Sequence, residues 1–439
     1  MRKLLSIIAI TASLYANASD SINNLSAAEA VRIALENSME VAVAENAMQQ
    51  AELNKRIART AYLPNFSGAA TGSWILPDGK IPDLGITMRM RGVYMAGINV
   101  MQPIFAGGKI IAANKMAGIG VTAAEEQRRQ TQIAVAANAE TSYWTYVAVL
   151  AKVEMMNSYR ALIDTAYTQT QEAFNAGMAT RNDLLRIEAR RSQIEYQQGQ
   201  VNAGADLCRM ALCNTMGLPT HTQITVADTN VDSNIDIPEN LEDFDLSRRP
   251  EFRLLKADID AKKQEINMTR ADFLPKAAFQ AGWFAFGGIE TQMPGMDAAG
   301  NYAMTSSKLN TNGWVMMLSV QVPLFHWGEG YKKVKHARLE AKNAELNFEH
   351  TTRQMDLQVR QAASNVRTGR ALVQSAQSAL KQAEAALEST STSYTLGLAS
   401  ITDLLDAQSQ WHSARADLIE AYTQLRINII DYRAATATL

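Results

Sequence analysis

The stretch YTLGLASITDLLDAQ, Tyr394 to Gln408, has a degenerate copy, FNAGMATRNDLLRIE, from Phe174 to Glu188. A chain that carries one motif twice is built on a duplicated architecture. In both copies an aromatic residue stands three positions before a glycine, Gly397 or Gly177, and Asp-Leu-Leu begins six positions after that glycine. Glycine allows a left-handed turn without a Cβ penalty. Thr402 or Asn182 is placed to cap the helix that follows, and Asp403 or Asp183 suits its positive end. Each copy is expected to be the tip of a helical hairpin.

Two more pairs of landmarks extend the duplication. RTAYLPN around Pro64 matches RADFLPK around Pro275, and INVMQPIFAGG around Pro103 matches LSVQVPLFHWG around Pro323. The two repeats, residues 19–219 and 246–439, stay in register except for about nine extra residues between Pro275 and Pro323, which are expected to form a loop. A polar, acid-rich linker without helical period, residues 220–245, joins them.

Between the paired prolines the pattern has period two, which predicts strands at about 65–76 and 92–103 in the first repeat and about 276–287 and 312–323 in the second. Trp314, Met316, Leu318 and Val320 alternate with Ser319 and Gln321; Tyr94, Ala96, Ile98 and Val100 alternate with Asn99. Phe279, Ala281 and Trp283, like Phe66, Ala70 and Trp74, occupy one face of their own strands. A greasy face opposite a polar one, with Trp74, Tyr94, Trp283 and Trp314 toward one end, suits a transmembrane β-barrel. Four strands cannot close, and open edges are not tolerated in lipid, so several copies must share one barrel.

From Phe105 to Gly177 runs a proline-free stretch that, as a helix at ~1.5 Å per residue, is roughly 105 Å long. Its return partner is about half that length, and Ser26 to Ala61 supplies the rest if it stacks end to end. The return helices repeat every seven residues, as in Leu404, Trp411, Leu418, Leu425 and Tyr432, or Ile187, Ile194, Val201 and Cys208. That spacing indicates close coiled-coil packing, the wall of a tube.

Residues 1–18 have a basic start, an apolar run and small residues at Ala16 and Ala18, the pattern of a secretory signal peptide. No cysteine follows the expected cut, so no acylated N-terminus is expected. The net charge is −2, and loss of Arg2 and Lys3 makes the mature chain slightly more acidic, which argues against nucleic acid as a partner. No run of apolar residues is long enough for a membrane helix. The five histidines show no ligand spacing, His412 is expected on a helix surface, and no metal or cofactor is expected. Cys208 and Cys213 lie too far apart on one helix to bridge; Cys208 is expected in the heptad core.

The paired YLP and FLP junctions, the QPIF and VPLF strand ends and the two G-x-x-x-x-x-D-L-L tips together resemble the TolC-like outer-membrane efflux proteins, over nearly the whole mature chain. The resemblance implies an α+β membrane protein that is a homotrimer. Its shared 12-stranded transmembrane β-barrel, four strands per protomer, would continue into a long periplasmic α-helical barrel. It implies an outer-membrane exit duct, not an enzyme, working with a periplasmic adaptor and an inner-membrane pump or secretion ATPase, and in contact with outer-membrane lipid. The family's aspartate rings map onto Asp403 and Asp406, a pore constriction. Its tip lock maps onto Tyr394 and Asp183; Ala399 stands where the family often has an arginine, with Arg181 close enough to substitute. Gly177, Met178, Gly397, Leu398 and Ala399 are expected to meet the adaptor, because small apolar residues at a turn allow close helix approach. The alternative is a periplasmic coiled-coil adaptor without a channel, which would have no reason to carry two amphipathic strand pairs.

Overall fold

The computed structural model describes residues 21–439 apart from 233–234, 239 and 297–298. The expected signal peptide therefore lies outside the described residues. The chain forms two compact units. One comprises residues 48–124 and 255–347; the other comprises the segments up to 47, 125–254 and 348–439.

The first unit is organised by an antiparallel sheet. Its long strands are β2 (Asn65–Trp74), β5 (Arg91–Ala106), β7 (Lys276–Met296) and β8 (Tyr302–Gln321), hydrogen-bonded in that order. Between β2 and β5 a short hairpin, β3 (Gly79–Ile81) and β4 (Ile86–Arg89), turns back and pairs with the far end of β7. The register puts Phe66, Val100, Ala281 and Met316 in one row, and Gly68, Ile98, Trp283 and Trp314 in the next. Paired residues share a face, so the apolar side chains gather on one side while Ser67, Asn99 and Gly282 lie on the other. That face is uncovered: Phe66, Trp74 and Trp314 are 70%, 74% and 77% exposed. Among the described residues, β2 and β8 are also unpaired along their outer edges.

The second-repeat strands are longer than their sequence pattern. The extra residues expected to be a loop are strand: β7 and β8 continue to pair from Ile289↔Leu309 to Met296↔Tyr302. A register shift between Phe286 and Ile289 absorbs the irregularity. Gly288 sits there at φ 86°, where a Cβ would come within 2.1 Å of the Gly92 carbonyl oxygen. β5 likewise runs past Pro103, which occupies a register shift where no ladder donor is needed.

The second unit is helical. The long helices α3 (Lys109–Asn175) and α6 (Glu329–Thr395) have 67 residues each, roughly 100 Å at ~1.5 Å per residue. The return helices are α4 (Arg181–Thr215) and α7 (Ile401–Thr436), and α1 (Ala27–Asn37) also lies in this unit; α2 (Met39–Thr60) and α5 (Pro250–Ala271) lie mostly in the first unit, as do the first turns of α3 and α6. Leu404, Trp411, Leu425 and Tyr432 are buried, as are Ile187 and Ile194, so the seven-residue spacing marks the packed face. The core near the tips joins Tyr159 and Ile163 of α3 to Leu184 and Ile187 of α4, Leu380 of α6 and Leu404 of α7.

The linker is not structureless. β6 (Gln223–Val226) pairs in parallel with β1 (Ser21–Leu25), and Ile224 and Val231 pack on Tyr143, Leu212 and Cys213. Arg426 of α7 is buried there; its Nε donates to the Val231 carbonyl at 2.7 Å and its guanidinium lies 3.3 Å from the Trp144 ring centre. Tyr143 donates to the Leu25 carbonyl at 3.0 Å and to Asp228 at 2.7 Å. Burial pushes that phenol well above the ordinary tyrosine range.

Candidate functional site at the helical tips

Both hairpins turn in the same way. Gly177 and Gly397 adopt φ 75° and 73°. The Gly177 amide donates to the Phe174 carbonyl at 2.9 Å and the Met178 amide to Ala173 at 2.8 Å; Gly397 and Leu398 repeat this onto Tyr394 and Ser393. These two bonds satisfy carbonyls that a helix end leaves open.

The caps differ from the sequence reading. Neither Thr402 nor Asn182 caps its helix; Thr180 and Ser400 do, with Asp183 and Asp403 closing capping boxes from the third helical position. Asp403 Oδ2 accepts from the Ser400 amide at 2.9 Å and from its hydroxyl at 2.6 Å. Asp183 Oδ2 accepts from Thr180 at 3.0 and 2.6 Å. Hydrogen bonds from Ser400 and Thr180 hold both carboxyls below the usual aspartate value of 3.8. The signal was present in the sequence as Thr-x-x-Asp and Ser-x-x-Asp.

The expected tie between Tyr394 and Asp183 is not the one the chain makes. Asp183 is committed to Thr180, and the Tyr394 hydroxyl lies 2.8 Å from Oγ1 of buried Thr170. Thr170 already donates its proton to the Ala166 carbonyl at 2.8 Å, so Tyr394 is the donor. A second bond joins the hairpins where Arg186 Nη1 of α4 donates to Thr402 Oγ1 of α7 at 2.7 Å. Thr170 carries no signal in the sequence because a hydroxyl in a helical tract has no spacing of its own, and Thr402, expected as a cap, is instead the acceptor of this bond. Arg181, at the first position of α4, is exposed.

Asp183 and Tyr394 nevertheless line one cavity of about 680 Å³, together with Glu172, Met178 and Gly397. Asp403 and Asp406 are exposed one turn apart on α7. Met178 and Leu398 stand 81% and 79% exposed at the turns beside Gly177 and Gly397, whereas Ala399 is half-buried. Leu396, which the sequence did not single out, is exposed as well.

Two side chains depart from their expected places. His412 is not on a surface: it is half-buried, with its ring stacked on Tyr159. Cys213, not Cys208, is the fully buried cysteine, its thiol directed at the Thr222 carbonyl; both are free thiols. Among the described residues no group of three or more His, Cys, Asp or Glu could hold a metal ion. No described helix is long and apolar enough to cross a membrane.

Against known proteins, the sequence profile of the family described as outer membrane efflux protein matches residues 30–210 and 245–438. The toluene efflux pump outer membrane protein TtgC of Pseudomonas putida is 20% identical over 408 residues, covering 92% of this chain and 81% of that protein. The fold is similar to a crystal structure of CusC, with a TM-score of 0.76 and 17% identity over 93% of this chain and 91% of that one. It is similar also to the outer membrane protein VceC of Vibrio cholerae, with a TM-score of 0.74 and 16% identity over 93% and 95% of the two chains. The chain belongs to the outer membrane efflux protein family.

Proposed function

We propose that this protein is the outer-membrane exit duct of an efflux or type I secretion system. Three copies share a 12-stranded barrel and continue as a periplasmic helical barrel through which substrates pass passively. The observation that carries the reading is the four-strand sheet, whose apolar face is uncovered and whose β2 and β8 edges are open. Lipid covers such a face, and it forbids unpaired edges, which pairing of β2 with β8 between copies removes. The two stretches matched by the family profile support two repeats, 19–219 and 246–439; a leader at 1–18 rests on its basic start and apolar run.

In this reading the tips point into the periplasm. Gly177, Met178, Gly397, Leu398 and Ala399 meet the helical hairpins of an adaptor, which links the duct to an inner-membrane pump or secretion ATPase. Threefold symmetry turns Asp403 and Asp406 into rings of carboxylates at a constriction, and rings of acid select cations. The tip is held by Tyr394 on Thr170 and Arg186 on Thr402, with Asp183 and Arg181 beside them.

Native mass spectrometry of detergent-extracted protein, together with recordings in planar bilayers, tests the duct. A trimer that conducts is expected. A folded, membrane-inserted monomer overturns the shared barrel, and trimers without conductance overturn the channel.

A further inference from the structure

We propose that His412 is a proton-sensitive latch that holds α7 against α3, and that its protonation loosens this seam near the tip. The link from seam to conduction rests on the exit-duct reading; the latch itself rests on the packing.

The imidazole of His412 lies 4.5 Å from the Tyr159 ring centre with the planes 29° apart, a stacked pair between α7 and α3. Its Nε2 is 3.1 Å from the Met156 sulfur. Arg190 of α4 donates to the Tyr159 hydroxyl from Nε at 3.1 Å and Nη2 at 2.7 Å, with its guanidinium carbon 5.8 Å from the same ring centre. α6 supplies apolar groups to this cluster, Leu380 and Leu387 among them. Among the described residues, the titratable or charged groups that touch or act on His412 are Tyr159 from α3 and Arg190 from α4.

The Tyr159 ring face offers an imidazolium only a cation–π attraction, and Arg190 repels it. Tyr159 is a neutral phenol whose pKa burial raises further, and Arg190 is a cation. A thioether is a weak acceptor and cannot compensate a buried charge. Burial, then Arg190, holds the His412 pKa below its ordinary 6.5. Its folded value is depressed, so the seam has its full strength above pH 6.5 and weakens as pH falls toward the folded value. Opening the seam lets the imidazolium reach water, and protonation therefore favours the open arrangement.

One turn before His412, Gln408 is buried with its Oε1 unpartnered, a desolvated acceptor that packing alone must offset.

Hydrogen exchange of the full-length protein in detergent, corrected for the intrinsic rate, reads the latch directly between about pH 7.5 and about pH 5. Protection of residues 404–418 is expected to fall across this range by clearly more than about twofold. His412→Phe, which keeps the stack, and His412→Gln should each reduce that change to under about twofold. Arg190→Gln removes the facing cation and should move the midpoint upward. Equal pH dependence in native protein and in His412→Phe overturns the latch. Bilayer recordings separate the two readings. Conducting channels whose pH response is unchanged by His412→Phe overturn the link from seam to conduction and leave the duct standing. Protein that never conducts overturns the duct, and hydrogen exchange then decides the latch alone.

Discussion

In the proposed duct, the two bonds between the hairpin tips set how hard the tip is to open. Tyr394→Phe removes the donor to Thr170 while leaving the ring in place. The Thr170 proton is already spent on the Ala166 carbonyl, so the change orphans no buried donor. The loss is then that of one neutral hydrogen bond, ~0.5–1.5 kcal/mol. Thr402→Val removes the acceptor of the exposed Arg186, which solvent screening limits to ~0.2–1 kcal/mol. One copy loses ~0.7–2.5 kcal/mol by adding these ranges, and three copies in the proposed trimer lose ~2–7.5 kcal/mol. Reversing a two-state equilibrium from about 1:99 to 99:1 takes ~5.5 kcal/mol, so the double variant should change a mostly closed tip into one that is often open.

Single-channel recording of native protein, both single variants and the double variant in planar bilayers measures this as open probability. Double-mutant cycles then locate the tie. Tyr394→Phe should couple to Thr170→Val and be additive, within ~0.3–0.5 kcal/mol, with Asp183→Asn. Native open probability in the double variant would refute the latch role of these bonds. Stronger coupling to Asp183 than to Thr170 would refute their assignment.

Three other consequences are open to measurement. Replacing Asp403 and Asp406 together by asparagine should lower cation selectivity and block by multivalent cations; unchanged reversal potentials would move the constriction elsewhere. Ile98→Lys places a cation in the apolar row with Trp283 and Trp314, at a cost of up to ~2–4 kcal/mol in the middle of a bilayer, whereas Asn99→Lys faces the other way and should be tolerated. The two variants should differ in yield of membrane-inserted protein, and equal yields would reverse the assignment of faces. The Ser400–Asp403 capping box should persist above pH 3.8 and be lost as pH falls through the lowered Asp403 value, because a depressed carboxylate stabilises only while ionised. Exchange at residues 401–404 reads that loss in an acid range well below the one proposed for His412.

How far the sequence could be read depended on how regular each physical signal was. The apolar row through Phe66, Ile98, Trp283 and Trp314 was legible because a strand repeats every two residues and one face is greasy. Beyond Gly287 the same strands carry Glu290, Thr291, Gln292, Ser306 and Ser307, polar on both faces, so nothing distinguished them from a loop. β1 and β6 are five and four residues long, too short to show a period, and their pairing spans two hundred positions of chain. The cysteines show a drift of phase. A straight α-helix departs from a seven-residue repeat by ~20° per heptad, so the stripe through Ile187 and Ile194 fades at Val201 and Cys208 and is taken over by Leu212 and Cys213. At the tips the glycines identified the turns, but the nearest polar residue was taken for the cap when the hydroxyl three positions before the aspartate was the right one.

The two copies of the tip motif also differ where the bonds are made, and this bears on which seam opens. Aligning the copies equates Tyr394 with Phe174, Thr170 with Thr390, Arg186 with Asp406 and Thr402 with Asn182. The bonds Tyr394–Thr170 and Arg186–Thr402 join the two hairpins of one chain. Their counterparts by alignment would be Phe174 with Thr390 and Asp406 with Asn182. Phe174 has no hydroxyl to donate, and an aspartate lacks both the cationic charge and the reach of an arginine. In a ring that alternates the two hairpins, only one of the two kinds of seam can therefore carry this pair of bonds. The specific resistance to opening lies within each copy, which is why the energy worked out above multiplies with the number of copies. The exchange of Arg186 for Asp406 has a second effect: it leaves Asp406 exposed beside Asp403, so the same asymmetry that latches one seam supplies the second carboxylate of the proposed constriction.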